Sequence, residues 1–245
     1  MLPAGAALDQ HRSFSRILGT PMPLPMPRAI LFDLDGTLAD TAPDLAAALN
    51  RLRRDRGLSS TPYEQLRPHT SAGARGMIGA AFGLKPGDPD YEELRVGFLD
   101  HYAAALAVDS TLFEGIPALL SDLRQRRLGW GVVTNKAARF TDPLVSQIGL
   151  GDADCIISGD TTPHAKPHPE PLLEAARRLK LQPQECWYVG DDLRDIQAGR
   201  AAGMVTVAAA WGYCGESAPE SWDADALIDT PQQLLALLPQ AISKN

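Results

Sequence analysis

Asp33 and Asp35 stand one residue apart, directly behind the apolar run Ala29-Ile30-Leu31-Phe32, and that arrangement is the strongest constraint on what this chain can become. The run is short and bulky, as a buried strand is. Side chains alternate along a strand, so both carboxylates project to one side if the extended backbone continues through them. Two anions that close repel each other. A divalent cation relieves the repulsion, and Mg2+ suits hard carboxylate oxygens. Gly36 then lets the backbone turn tightly past the pair, because it lacks the Cβ that disfavours positive φ. The rival reading of D-x-D-G is a calcium loop, which needs oxygen ligands at regular spacing and a Glu near the twelfth position. Counting Asp33 as first, the twelfth residue is Asp44, and Leu38 and Ala39 offer no side-chain ligand.

A chain of 245 residues, 44% of them apolar, can build one large domain or a domain with a smaller insert. Its net charge of −7 argues against a nucleic-acid partner, which would require a basic surface. An anionic substrate is still admissible, since a pocket can be locally positive on an acidic protein. Cys155, Cys186 and Cys214 form no C-x-x-C pair, and the first two lie in strand-like runs. They read as buried reduced thiols, which points to a cytoplasmic setting. No apolar run approaches the ~20 residues that cross a bilayer, so no membrane association is expected. The Pro- and Ala-rich residues 1–27 lack the apolar centre of a secretory signal and read as a loosely ordered extension, upstream of a start at Met26. Both monomer and homodimer are compatible with the sequence.

Past the first strand, Pro43 to Arg56 has helical spacing, with Leu45, Ala48, Leu49 and Leu52 on one face, Pro43 in the first turn and Gly57 at the end. Helical patterns follow at about 74–82 and 89–106, separated by the breaker-rich 83–87. An all-helical insert over 40–109 is therefore expected, with the core domain formed by 28–39 and 110–245. Strand and helix then alternate: helix 117–127, strand 129–134, helix 137–148, strand 155–158, helix 170–179, strand 186–189, helix 194–202, strand 205–209 and a closing helix near 231–238. That order predicts an α/β fold, a Rossmann-like three-layer parallel-sheet core carrying the helical insert. Ligands of such sheets bind beyond the carboxyl ends of the strands. Polar residues collect there: Asp33 and Asp35, then Thr134-Asn135-Lys136, then Ser158-Gly159-Asp160 with Lys166 downstream, then Asp191, Asp192 and Asp195.

Four motifs in that order, Asp33-Leu34-Asp35-Gly36-Thr37, Val132-Val133-Thr134-Asn135, Lys166-Pro167 and Gly190-Asp191-Asp192-Leu193-Arg194-Asp195, resemble those of the haloacid dehalogenase superfamily of phosphatases. The resemblance covers about residues 27–240, and 40–109 match that family's cap domain. Within it the chain looks most like the phosphoglycolate phosphatase group. Ser71-Ala72-Gly73-Ala74-Arg75, Leu112-Phe113-Glu114-Gly115 and Trp130–Lys136 carry a further similarity to bacterial N-acetylmuramic acid 6-phosphate phosphatases.

The resemblance implies a Mg2+-dependent phosphomonoester hydrolase for a small phosphorylated metabolite, 2-phosphoglycolate or a sugar phosphate such as N-acetylmuramic acid 6-phosphate. Asp33 would be the nucleophile, Asp35 the acid and base, and Thr134 and Lys166 would complete the catalytic set. Thr134, Asn135 and Lys166 would bind the phosphate. Mg2+ would be held by Asp33, the backbone carbonyl of Asp35 and Asp191, with Asp195 contacting it through water. Arg75, at a helix start in the insert, is the candidate for a further substrate contact. A phosphosugar mutase of the β-phosphoglucomutase type shares these motifs and is the alternative. His164 and His168 flank Lys166, but a carboxylate Mg2+ site needs no imidazole. Asp192 reads as a helix cap.

Overall fold

The computed structural model describes residues 24–215 and 217–239. Its centre is β1 (Ala29–Phe32), every residue of which is buried. After β1 the chain makes the two-residue strand β2 (Ala39–Asp40) and enters the helices α1 (Ala42–Asp55), α2 (Tyr63–Leu66), α3 (Gly73–Phe82) and α4 (Tyr91–Ala104), with a 3-10 turn at Arg67–Ala72. It returns through β3 (Thr111–Leu112) to α5 (Ile116–Gln125), β4 (Gly129–Val133), α6 (Ala138–Gln147) and β5 (Cys155–Ile157). Then come α7 (Glu170–Leu179), β6 (Cys186–Gly190), α8 (Leu193–Ala202), β7 (Val205–Ala209), β8 (Ala226–Ile228) and α9 (Gln233–Leu237).

Six strands form a parallel sheet in the order β5-β4-β1-β6-β7-β8. Strand alternation divides the core in two. Ile30 and Phe32 face one layer with Trp130, Val132, Trp187 and Val189, covered by α5, α6 and α9 through Leu119, Leu123, Leu144 and Leu234. Ala29 and Leu31 face the other with Val133, Ile157, Cys186 and Tyr188, covered by α7 and α8 through Leu172, Ala175 and Ala198. The three-layer parallel core expected from the alternation is what the chain forms. Cys155 and Cys186 are buried free thiols. Among the described residues, no helix is long and apolar enough to cross a membrane.

α1 to α4 pack into a separate apolar cluster built on Leu45, Leu49, Leu52, Met77, Phe98 and Tyr102, with Phe140 of α6 as the core's contribution. The helix expected at 89–106 is shorter, because Asp90 adopts a left-handed conformation just before Tyr91. The short strands β2, β3 and β8 carry too little periodicity for the sequence to announce them. Of the N-terminal extension, residues 1–23 lie outside the described residues. Pro25 is tied down, its carbonyl accepting a 3.0 Å hydrogen bond from the Trp187 indole.

Two chain crossings join the helical unit to the sheet, and they are fastened together. β2 and β3 pair antiparallel, Ala39 with Leu112 and Asp40 with Thr111. Asp44, buried in the first turn of α1, accepts hydrogen bonds from Val108 N (3.0 Å), Asp109 N (3.0 Å), Ser110 N (2.9 Å) and Ser110 Oγ (2.6 Å). From the core side, the Tyr213 hydroxyl accepts from Thr41 N (2.8 Å) and Ala42 N (2.9 Å) and donates to Asp40 Oδ1 (2.8 Å). Asp44→Ala leaves these donors unmatched and is expected to destabilise the protein by roughly 2–4 kcal/mol. Urea unfolding measures it; a loss below about 0.5 kcal/mol, the range of ordinary surface substitutions, would show that the fastening contributes little.

Candidate active site

Register brings the polar strand ends together. Phe32 pairs with Val132 on one side and Val189 on the other, so Asp33, Thr134 and Asp191 emerge from adjacent strands within two residues of the same level. Asp33 is anchored there by its backbone N–H, which donates to Val189 O at 2.9 Å. Thr134 N donates to Ile157 O, also at 2.9 Å, extending the row to β5.

Asp33, Asp191 and Asp195 form a buried trio, each offering a carboxylate oxygen within 4.8 Å of the others. Lys166 Nζ balances part of this charge, 2.8 Å from Asp33 Oδ1 and 2.7 Å from Asp195 Oδ1. It also donates to Val133 O (2.9 Å) and to the Tyr188 hydroxyl (2.7 Å). Burial disfavours the ammonium, but Asp195 and Asp33 outweigh it and hold the Lys166 pKa above its usual value. One ammonium does not neutralise three carboxylates. Burial pushes the Asp33 carboxyl up to about 7 despite Lys166, and burial with the charges of Asp33 and Asp195 pushes Asp191 well above the carboxylate range.

The trio is held in place by its surroundings rather than by mutual attraction. Asp191 Oδ1 accepts from Thr37 Oγ1 (2.8 Å) and Oδ2 from Tyr213 N (2.9 Å). A Cβ on Gly36, whose φ is +91°, would lie 2.2 Å from Asp191 Oδ2, and one on Gly212 would lie 2.3 Å from Asp191 Cβ. Only glycine lets the backbone close around this carboxylate. Asp33 Oδ1 is buried, and its polar partner among the described residues is the Lys166 ammonium, which Asp195 shares. Three clustered carboxylates sharing one ammonium fit a hard divalent cation such as Mg2+.

Asp35 points elsewhere. It accepts from Thr41 Oγ1 and pairs with Lys136 Nζ at 3.1 Å. Lys136 also donates to the Tyr102 hydroxyl at 3.1 Å. Burial would lower the Lys136 pKa, yet Asp35 and Tyr102 together push it up, so the ammonium stays charged. Lys136 belongs to the strand-end cluster visible in the sequence, but nothing beside Thr134-Asn135 gives it a role there, since it can equally start the following helix. Thr134 Oγ1 accepts from Lys136 N at 3.1 Å, which leaves the hydroxyl proton free to donate.

Asn135 lines the cavity, but its side chain is committed to the neighbouring loop. Its Nδ2 donates to Lys166 O (3.0 Å) and its Oδ1 accepts from Lys166 N (2.9 Å), so its side chain aligns Lys166. Arg75 departs from expectation. Its side chain is exposed and its charge is felt at Tyr91, whereas its neighbours Ser71 to Ala74 line the cavity. Asp192 caps α8, its Oδ1 accepting from Arg194 N at 2.9 Å. Arg194 in turn donates to Ser71 O at 2.7 Å, linking the sheet end to the helical unit.

All of this opens on one cavity of about 340 Å3 between the strand ends and the helical unit. Asp33, Asp35, Thr134, Lys136 and Lys166 form its floor, and Leu45, Phe98, Leu99, Tyr102 and Phe140 give it an apolar wall. If the trio is a cation site, saturating Mg2+ should raise the melting temperature by about 5–10 °C, as binding at a hundredfold excess over Kd stabilises by ~2.7 kcal/mol. Thermal melts of the wild type and Asp191→Ala test this; an equal rise in the variant would place the ion elsewhere.

Comparison with known proteins follows the same lines. The family described as haloacid dehalogenase-like hydrolase matches residues 30–209. An N-acetylmuramic acid 6-phosphate phosphatase of Pseudomonas putida is 43% identical over 88% of this chain and 97% of its own length. A phosphoglycolate phosphatase of Xanthomonas campestris pv. campestris is 46% identical over 85% of this chain and 95% of its own. Among solved structures, that of a predicted phosphoglycolate phosphatase from Haemophilus somnus superposes with a TM-score of 0.78 at 25% identity, covering 87% of this chain and 98% of that one.

Proposed function

The chain belongs to the haloacid dehalogenase-like hydrolase family, and we propose that it is a Mg2+-dependent phosphomonoesterase acting through an aspartyl-phosphate. The observation that carries this reading is the separation of two carboxylates on one cavity floor, Asp33 beside Lys166 and Asp35 beside Lys136. One is set up as nucleophile and the other as proton carrier.

Asp33 attacks phosphorus through a carboxylate oxygen, and the bond from phosphorus to the substrate's alcohol oxygen breaks. Asp35 gives its proton to the departing alkoxide, then takes one from the water that attacks phosphorus and frees Asp33 and inorganic phosphate. General acid–base assistance of this kind contributes typically ~10²–10⁴-fold. Thr134 donates its hydroxyl proton to a phosphoryl oxygen, and Lys166 offsets negative charge on Asp33 and the phosphoryl group. Asn135 keeps Lys166 in register. Asp33, Asp191, Asp195 and the Asp35 carbonyl would hold Mg2+, which supplies charge neutralisation between carboxylates and phosphate and polarises the phosphoryl oxygens. Both oxygens of Asp195 already have partners, Lys166 and Asp192 N, which suits contact through water.

Residues 40–109 act in this reading as a cap domain over the site, excluding bulk water from the acyl-phosphate step. The names of the relatives supply the substrate candidates, 2-phosphoglycolate and N-acetylmuramic acid 6-phosphate. The buried reduced thiols support a cytoplasmic location. Mg2+-dependent phosphate release from a panel holding both candidates tests the proposal, with Asp33→Asn alongside. The variant should lose at least about 10³-fold in kcat, comparable to the loss on removing a member of a catalytic triad. Full activity in the variant, or isomerised sugar phosphate in place of released phosphate, would overturn it.

A further inference from the structure

The cavity holds more cationic groups than the phosphate chemistry uses. Lys166 faces Asp33 and Asp195, Lys136 faces Asp35, and Arg194 pairs with Asp192 at 2.7 Å. Arg95, on α4, pairs with Glu92 at 2.8 Å. Arg139, at the start of α6, also lines the cavity, yet among the described residues it has no ion pair and donates no hydrogen bond. Its guanidinium lies 4.4 Å from the centroid of the Phe140 ring, an aromatic face that holds a cation without neutralising it.

Its position relative to Asp35 gives this free charge a meaning. Asp35 pairs with Lys136 at 3.1 Å, Lys136 bonds to the Tyr102 hydroxyl at 3.1 Å, and the Tyr102 ring is 5.4 Å from Phe140, under Arg139. This continuous wall runs from the proton carrier to the arginine. The group that receives the Asp35 proton is the leaving alcohol, so the alcohol, not the phosphate, lies along it. The volume of about 340 Å3 is that of a small-molecule site, ~300–1,000 Å3, and leaves room beyond a phosphate. Phe98 and Leu99 add an apolar surface suited to a carbon skeleton.

We propose that Arg139 recognises a carboxylate on the leaving alcohol, making the enzyme selective for phosphomonoesters that carry a second anionic group distal to the phosphate. This rests on the phosphomonoesterase reading above and adds the specificity-determining residue. A guanidinium presents parallel N–H donors that match a carboxylate in two-point contact, and it is shed of water more readily than an ammonium. The aromatic face beneath keeps the fork oriented, which reduces what is lost when the substrate is ordered.

Two matched pairs of substrates test the assignment: N-acetylmuramic acid 6-phosphate against N-acetylglucosamine 6-phosphate, which lacks the lactyl carboxylate, and 2-phosphoglycolate against ethyl phosphate. The readout is the ratio of kcat/KM within each pair, for wild type, Arg139→Ala and Arg139→Lys. A charge-assisted contact gives the wild type about a 10- to 100-fold preference for the acid in at least one pair. Arg139→Ala should bring that ratio towards unity, chiefly through KM, and Arg139→Lys should keep part of it. Arg139 is exposed, so a thermal melt is expected to show the truncated protein folded. A wild-type ratio near unity in both pairs, or a ratio that survives in Arg139→Ala, overturns the assignment while leaving Asp33-dependent hydrolysis intact. Absence of any Asp33-dependent phosphate release removes the underlying reading and the assignment together.

Discussion

Three carboxylates buried around one ammonium set the terms for the rest of this molecule. Asp33, Asp191 and Asp195 repel one another in a region with little water to screen them, and Lys166 reaches two of the three. Such a cluster persists only when the surrounding structure over-determines it. The parallel register fixes the backbone of Asp33 and Asp191, Thr37 and Tyr213 N hold the Asp191 oxygens, and Gly36 and Gly212 bring the backbone too close for the carboxylate to swing away. Stability is given up locally so that a charge arriving from outside meets a site already shaped for it.

The floor of the cavity is electrically divided. On one side Lys166 serves Asp33, with the Tyr188 hydroxyl 2.7 Å from its ammonium and 3.2 Å from Asp195. On the other, Lys136 serves Asp35, with the Tyr102 hydroxyl in the corresponding place. Lys166 is buried and Lys136 largely so, both are held charged by carboxylates, and each takes a tyrosine hydroxyl as a further partner. The difference is origin. Tyr188 belongs to β6 of the sheet, whereas Tyr102 comes from α4, so the Asp35 side of the cavity is complete only when the helical unit sits on the core.

Much of this could be read from the chain. Apolar runs ending in polar residues give both the parallel sheet and the cluster at its carboxyl edge, because strand periodicity and strand-end chemistry are local properties. The three longer helices of the insert are legible for the same reason, whereas the short helix Tyr63–Leu66 and the 3-10 turn after it are not. What escaped depends on distant partners. Lys136 looks like a solvated helix start until Asp35 and Tyr102 are placed against it, and Gly212 and Tyr213 sit in a loop with no motif of their own. Arg75 misled because the α3 turn shows the cavity its preceding residues, not its side chain. Asn135 depends on a distant partner in a subtler way. Adjacency to Thr134 suggested a shared target, while its amide matches the Lys166 backbone almost as another strand would.

The stitched crossings carry a mechanical corollary. Two independent tethers would let the helices tumble over the sheet in several directions. A paired ribbon, with Asp44 bonded to its return and Tyr213 to its outgoing edge, ties the two crossings into one joint, so neither can shift without the other while these bonds hold. Tyr102 reaches Lys136 from beyond that joint, so a motion that parted the two would have to carry both crossings together.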